Sequence, residues 1–220
     1  MTSRLLSFLF LGFSMATVVS TLYLIPYDFH AYVKPGIMGV LLIWAFIERK
    51  AIQGVVWLIP SMALSLAGDV LLMLPGEGYF IPGLLSFLLA HIAYIILNIK
   101  VGEGGLEIPF LRRNPWMIFL TIAYSGWVYM QLKAGAGEIA WAVLIYILVI
   151  SLMWLTAWQR HGKVSESSFR WVVIGAGFFL ISDSLLAWNR FVEPWEYSHP
   201  CVLATYAFAQ YALFRGYRSV

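Results

Sequence analysis

The chain of 220 residues is 61% hydrophobic and 11% charged, whereas a soluble domain normally carries about 25% charged residues. This composition excludes an ordinary soluble protein and indicates a single polytopic membrane domain over residues 1–220. The net charge of +3 comes without a block rich in Lys and Arg, and the single cysteine excludes an internal disulfide, so neither nucleic-acid binding nor a disulfide scaffold is indicated.

Eight apolar runs predict an all-α membrane protein, a bundle of eight transmembrane helices. Their bounds are about 5–27, 31–47, 51–74, 79–99, 114–132, 139–159, 171–189 and 198–214. The first run could be a signal peptide, but its length favours a retained span. The second is short, and Lys34 and Pro35 are expected near its start, where proline suits a first helical turn. Strands are not expected, because the runs do not alternate.

The orientation follows from the distribution of cations between the two sides of the predicted bundle. One side carries Arg4, Arg49, Lys50, Lys100, Arg112, Arg113, Arg160, Lys163, Arg170, Arg215 and Arg218, and the other only Lys34, Lys133 and Arg190. Because positive loops stay in the cytoplasm, both termini are expected there.

Two apolar runs each contain one carboxylate, Asp69 in the third and Asp183 in the seventh. Both follow the pattern Leu-x-small-Asp-x-Leu-Leu, and their separation of 114 residues suggests a parallel repeat of four plus four helices. An ionisable group in a span costs about 2.5 kcal/mol or more, so each should face protein or water. The helical rise places both roughly 8–12 Å below the outer surface.

If the two carboxylates approach each other, they cannot both ionise cheaply, so protons are expected to be shared unequally between them. Such a pair suits acid/base cleavage of an ether-like bond, one group protonating and the other acting as base or charge stabiliser. The alternative is that each is a buried polar residue held by hydroxyl groups of neighbouring helices.

Further polar side chains lie on predicted helix faces. On the fourth span, the spacing puts Gly83, Phe87, His91, Tyr94 and Asn98 on one face, with His91 roughly 16–18 Å deep. The remaining candidates are Asn189, Tyr206 and Gln210, which also suit contacts between helices. For Tyr146 the contact between helices is the favoured interpretation.

Two cations near the outer surface have two interpretations. Lys34 and Arg190 could extend to the interface or bind a phosphate headgroup above the carboxylates, Lys34 being the better candidate because Pro35 fixes its helix start. A histidine-rich zinc site is poorly supported, since only His91 lies deep in a span. A metal site of two carboxylates and one histidine stays open.

Taken together, these residues resemble the YhhN-like membrane family, the lysoplasmalogenases. The resemblance rests on the order and spacing of short motifs rather than on one long one. They are Lys34-Pro35, Gly68-Asp69 with Leu71-Leu72, the face of Gly83, Phe87, His91 and Tyr94, then Tyr146, Met153, Ala157, Gly175-Ala176, the run 182–187 with Asn189, Arg190 and Phe191, and finally Tyr206 and Gln210.

The resemblance implies a hydrolase that cleaves the sn-1 vinyl ether of lysoplasmalogens to a fatty aldehyde and a glycerophospho-ethanolamine or -choline. Asp69 and Asp183 would then be the catalytic acid/base pair, with Asp183 favoured as the acid because its flanks are apolar. The side chains orienting substrate and water would be Lys34, His91, Tyr94, Asn189, Tyr206 and Gln210. No metal or organic cofactor is required, the lysophospholipid enters laterally from the bilayer, and a bacterial inner membrane is the expected location.

Two other functions use the same residues. A proton-coupled transporter could carry protons on the two carboxylates, although paired Gly/Pro interruptions at the midplane are lacking. A membrane scaffold could use the polar residues only to hold helices together, and carboxamide substitutions would then change stability alone.

Overall fold

The computed structural model describes residues 2–22, 27–101 and 109–219, and the regular structure of these residues is entirely helical. Eight helices in this described part have 19 to 26 residues, and a ninth has five. The helices are α1 (Thr2–Leu22), α2 (Tyr27–Ile47), α3 (Val55–Met73), α4 (Phe80–Lys100), the short α5 (Pro109–Arg113), α6 (Trp116–Ala136), α7 (Ala140–Trp158), α8 (Glu166–Phe191) and α9 (Ser198–Arg218).

The predicted all-helical fold is confirmed, and its helices suit a membrane. Five helical stretches are long and apolar enough to cross one, including Trp116–Trp158, which contains both α6 and α7. Helix α2 adds a shorter apolar stretch, Val33–Ile47. Large apolar side chains such as Phe8 and Phe119, each 71% exposed, face away from the bundle. The chain is therefore an integral, multi-pass membrane protein of packed helices.

Several predicted helix starts differ from the structure, and α8, for example, begins at Glu166, five residues before the predicted start. Helix α2 begins at Tyr27, so Lys34 and Pro35 lie inside it and not in its first turn. Proline is tolerated there because neighbouring helices in a membrane bundle can satisfy the carbonyl that loses its donor. Helix α3 begins at Val55, after Gly54 adopts a φ of 75° that favours glycine. The predicted end of the first span, residues 23–26, lies outside the described residues.

The most extensive packing joins consecutive helices, α8 to α9 and α3 to α4. Small residues permit this close approach, as is usual between membrane helices. On α8, an added Cβ at Gly175 would lie 2.8 Å from the backbone nitrogen of Leu213 and 3.0 Å from the carbonyl oxygen of Ala209. This contact fixes how deeply α8, the helix that carries Asp183, is seated against α9.

Replacing Gly175 by Ala is therefore expected to destabilise the protein by about 1–3 kcal/mol, since backbone atoms must move to admit the methyl group. Thermal unfolding of the purified protein in detergent checks this expectation. The matched control is Gly126→Ala on α6, where an added Cβ meets no atom within 4 Å. Equal melting temperatures for the two variants would contradict the close packing of α8 on α9.

Candidate functional site

Asp183 is held by two side chains from other helices. The Tyr146 hydroxyl of α7 donates a hydrogen bond to Asp183 Oδ2 over 2.5 Å, and His91 Nε2 of α4 lies 3.1 Å from the same oxygen. His91 Nε2 is also 2.9 Å from the Tyr146 hydroxyl oxygen. The three side chains form one compact polar cluster, called here the Asp183 cluster.

The state of His91 follows from its surroundings. Its side chain is fully buried, and within the described residues its Nδ1 atom has no hydrogen-bond partner. A buried N–H without an acceptor is costly, so a proton on Nε2 and none on Nδ1 is the favoured arrangement. With its proton on Nε2, His91 donates a hydrogen bond to Asp183 Oδ2.

The contact between His91 and Asp183 is compatible with the depths expected from the sequence. The residue counts to the helix ends, Phe80 for His91 and Phe191 for Asp183, place the two Cα atoms roughly 16 Å and 12 Å below the surface. A difference of about 4 Å is within the reach of two side chains, so the two residues meet.

A cavity of about 690 Å³, part of it open to the surroundings, lies beside this cluster. Asp183 and Tyr146 line it, and Arg190 lines it two helical turns from Asp183. The other lining residues are apolar or carry a hydroxyl group: Leu72, Phe80, Leu84, Phe87, Tyr124, Ser125, Val128, Leu132, Val143, Ile147, Ile150, Leu180, Ser184, Leu186, Ala187 and Phe191. Among the described residues that line this largely apolar chamber, Asp183 is thus the one carboxylate.

The helix packing explains why this space is open. Helix α7 packs against α4, α6 and α8, whereas in the described part of the chain α4 has no extensive backbone contact with α6 or α8. The cavity occupies the gap between them. Leu85 of α4 and Trp127 of α6, each next in sequence to a cavity-lining residue, are exposed, so the helices that border the gap also carry lipid-facing side chains.

Asp69 belongs to a second polar cluster. Its Oδ2 accepts a hydrogen bond of 2.6 Å from the Tyr206 hydroxyl of α9, and its Oδ1 lies 3.4 Å from Lys34 Nζ of α2. The Asp69 and Lys34 side chains are 3% and 15% exposed. The Lys34 ammonium therefore forms a buried ion pair and is not directed to a headgroup at the interface. These three residues are called the Asp69 cluster.

An aromatic layer lies between the two clusters. The ring of Phe179 is centred 4.7 Å from that of His91 and 5.6 Å from that of Tyr206. Phe87 contacts both Phe179 and Tyr206 through edge-to-face rings. The carboxylates are neighbours across this layer, but Asp183 lines the cavity and Asp69 does not. The sequence suggested that the two carboxylates share one chamber, whereas in the structure only Asp183 of the two lines this cavity.

The other candidate residues are distributed as follows. All five residues on the predicted face of α4 are buried, which confirms that face. Tyr94 donates a hydrogen bond of 2.9 Å to Gln210 Oε1 in the buried interior. Asn189 Oδ1 accepts from the Trp195 backbone and orders the turn after α8. Within the described residues, none of the six predicted orienting residues lines the cavity, and only His91 contacts Asp183.

Some cavity residues were not singled out from the sequence. The Tyr124 hydroxyl of α6 donates to Ser184 Oγ over 2.9 Å, and Ser125 lies beside it. The sequence favoured a helix-to-helix contact for Tyr146, yet its hydroxyl makes the shorter of the two hydrogen bonds to Asp183. A hydroxyl in an apolar run gives no sign of which neighbour it meets, and only the position of Ser184 next to Asp183 hinted at the site.

The two hydrogen bonds of the Asp183 cluster end on the same carboxyl oxygen. Asp183 Oδ2 receives both hydrogen bonds, while Oδ1 has no partner among the described residues. The two donors can stabilise a negative charge on Oδ2, and Oδ1 stays available to a further partner. No group of three or more His, Cys, Asp or Glu residues forms in the described chain, so the alternative metal site is not assembled.

The chain is similar in sequence to proteins named lysoplasmalogenases. The chain is 29% identical over 157 residues to the human protein named lysoplasmalogenase TMEM86A, covering 68% of this chain and 60% of that one. It is 28% identical over 195 residues to a lysoplasmalogenase of Mycobacterium bovis, covering 86% and 71%. The human lysoplasmalogenase TMEM86B is 26% identical over 152 residues, covering 68% and 58%. The chain thus spans less than two thirds of the length of the human relatives.

No solved structure matches the fold. The model of the YhhN family matches residues 29–217. This range includes both polar clusters and every helix from α3 to α8. On this match, the chain belongs to the YhhN family.

Proposed function

We propose that the protein is a lysoplasmalogenase-type hydrolase that cleaves the sn-1 vinyl ether of a lysoplasmalogen to a fatty aldehyde and a glycerophospho-ethanolamine or -choline. The observation that carries the proposal is a single carboxylate, Asp183, held by two donors at the wall of an apolar cavity within a membrane bundle. The names of the relatives support the same reaction. No observation favours the transporter alternative.

The chemistry needs one acid and one water molecule. Asp183 in its protonated form transfers its proton to the β-carbon of the vinyl ether, and the C=C electron pair forms the new C–H bond. The resulting oxocarbenium ion lies beside the Asp183 carboxylate, which stabilises it. Water adds to the cationic carbon and returns a proton to Asp183, giving a hemiacetal. The hemiacetal collapses to the aldehyde and the glycerol hydroxyl, so the cycle consumes one water and regenerates the acid.

Tyr146 and His91 support this cycle without contacting the reacting bond. Their hydrogen bonds to Oδ2 orient the carboxyl group so that Oδ1 faces the substrate. They also donate to the carboxylate that proton transfer leaves behind, and so hold its negative charge in place.

Asp69 acts from the neighbouring cluster. The sequence suggested Asp69 as the second member of an acid/base pair. Since Asp69 is bonded to Lys34 and Tyr206 and does not line the cavity, we assign it a positioning role. It fixes Tyr206, whose ring packs against Phe87 and Phe179 behind the Asp183 cluster.

The substrate enters from the bilayer through the gap between α4 and the α6–α8 pair. A lysolipid has one chain, and the apolar walls match that chain. The exposed apolar flanks of the gap allow the chain to remain in contact with lipid while the polar end reaches Asp183.

The eight long helices are proposed to be eight spans with both termini in the cytoplasm, related by a parallel four-plus-four repeat. The hydrogen bonding supports this relationship. Each carboxylate is bonded by a residue from the preceding long helix of its own half and by one from the last helix of the other half. The two sets are Asp69, Lys34 and Tyr206, and Asp183, Tyr146 and His91.

The reaction is tested by supplying purified protein with two lysolipids that differ only at sn-1. The 1-alkenyl lipid is expected to release fatty aldehyde, measured by coupled oxidation, because only a vinyl ether yields an oxocarbenium ion on protonation. The 1-acyl lipid is expected to release neither aldehyde nor fatty acid. Hydrolysis of the acyl lipid at an equal rate would indicate an esterase, and no turnover of either would remove the proposal.

A further inference from the structure

The mouth of the cavity carries an ion pair that the reaction itself does not use. Arg190, near the end of α8, lines the cavity, and its Nη2 atom lies 3.1 Å from both carboxylate oxygens of Glu77. Glu77 belongs to the short turn before α4, so the pair joins two walls of the cavity. The guanidinium also lies over the Phe80 ring, 5.0 Å from its centre.

We infer that Arg190 and Glu77 form a recognition site for a zwitterionic phospholipid headgroup, with Arg190 binding the phosphate and Glu77 the ammonium. The inference rests on the proposed function and names the residues that select its substrate. Arginine is suited to phosphate because its planar fork can donate two hydrogen bonds to two oxygens. A zwitterionic headgroup carries one negative and one positive group. On binding, Arg190 therefore exchanges the Glu77 carboxylate for the phosphate, and Glu77 exchanges the Arg190 guanidinium for the ammonium.

The spacing from Asp183 fits this assignment. Asp183 and Arg190 are seven residues apart, which is two turns on the same face of α8 or about 10 Å. Six single bonds separate the phosphorus of a lysoplasmalogen from its nearer vinyl carbon, a reach of about 7 Å when extended. With its phosphate at Arg190, the lipid therefore presents its vinyl ether close to Asp183, the arginine side chain covering the difference.

The exposure of the pair also suits exchange with a ligand. The side chains of Glu77 and Arg190 are 89% and 43% exposed, and an exposed ion pair contributes little to stability. Lys34, the cation favoured from the sequence, is instead committed to the buried Asp69. Among the described residues that line the cavity, Arg190 is the one cation.

The test measures binding and not turnover, so it is independent of whether the protein hydrolyses vinyl ethers. Purified protein in detergent is titrated with three saturated ether lipids, which lack the reactive double bond. They are a 1-alkyl lysophosphoethanolamine, a 1-alkyl lysophosphate without the amine, and a 1-alkylglycerol without either charge. Intrinsic tryptophan fluorescence or calorimetry reports the affinity.

Arg190→Gln is expected to lower the affinity for both phosphate-containing lipids by about threefold to tenfold, within the range for partly exposed charge pairs. Glu77→Gln is expected to weaken the phosphoethanolamine lipid by a similar factor, and to leave the lysophosphate unchanged or bound more tightly. Neither substitution should alter binding of the alkylglycerol, which therefore reports an intact cavity.

The matched control is the exposed pair of Glu166 and Arg170 at the start of α8, joined over 2.7 Å and remote from the cavity. Glu166→Gln and Arg170→Gln are expected to leave all three affinities unchanged. Equal affinity of the wild-type protein and Arg190→Gln for the lysophosphate would overturn the inference. So would a loss of all three lipids together in Arg190→Gln, because that result indicates a damaged cavity and not a lost phosphate contact.

Discussion

Asp183→Asn is expected to lower aldehyde release from a 1-alkenyl lysolipid by roughly a hundredfold or more, the usual effect of losing a positioned acid/base group. The amide has nearly the same shape as the carboxyl group, and its oxygen can still accept the Tyr146 hydrogen bond. The fold should therefore persist. An amide cannot transfer a proton to the vinyl carbon, so the first step has no acid. The measurement is kcat by aldehyde detection, together with the melting temperature of the same preparation.

Two further variants make this result specific. Glu138→Gln removes an exposed carboxylate from the turn between α6 and α7, and should leave kcat unchanged. Tyr146→Phe removes one donor from Asp183 and should lower kcat by about tenfold, in line with loss of one hydrogen bond to a charged group. A kcat that is lower in Asp183→Asn than in Tyr146→Phe supports the carboxyl group as the acid. An Asp183→Asn protein with wild-type kcat would exclude Asp183 from the reaction.

Lys34→Met is expected to lower the free energy of unfolding by about 3 kcal/mol or more, because it leaves a buried carboxylate without its cation. Asp69 is 2% exposed, so water cannot replace the missing ammonium. Adding Asp69→Asn to Lys34→Met removes the unpaired charge and should recover part of the loss. Reversible unfolding of the four proteins of this double-mutant cycle in mixed micelles gives the coupling energy of the pair.

Aldehyde release by the same proteins separates positioning from catalysis. If Asp69 acts by holding Lys34 and Tyr206, the double variant should be more active than Lys34→Met alone. If Asp69→Asn instead abolishes kcat at unchanged stability, Asp69 is a catalytic carboxylate and the acid/base pair suggested by the sequence is restored.

The local features of this fold could be predicted from the amino-acid sequence. Long apolar runs leave the backbone no partner in lipid except its own carbonyls, so helices were predictable. The face of α4 from Gly83 to Asn98 was predictable because a period of 3.6 residues fixes which side chains share a side. A carboxylate in an apolar run was recognisable as unusual from its cost alone, which pointed to Asp69 and Asp183.

Partnership between side chains was decided by tertiary structure. Nothing in the sequence indicates that Asp69 meets Lys34 and Tyr206 while Asp183 meets His91 and Tyr146, because these contacts depend on how α2, α4, α7 and α9 pack. The two carboxylates look equivalent in sequence, with matching flanks. The gap between α4 and the α6–α8 pair gives only Asp183 a cavity, and the aromatic layer of Phe87 and Phe179 separates it from Asp69.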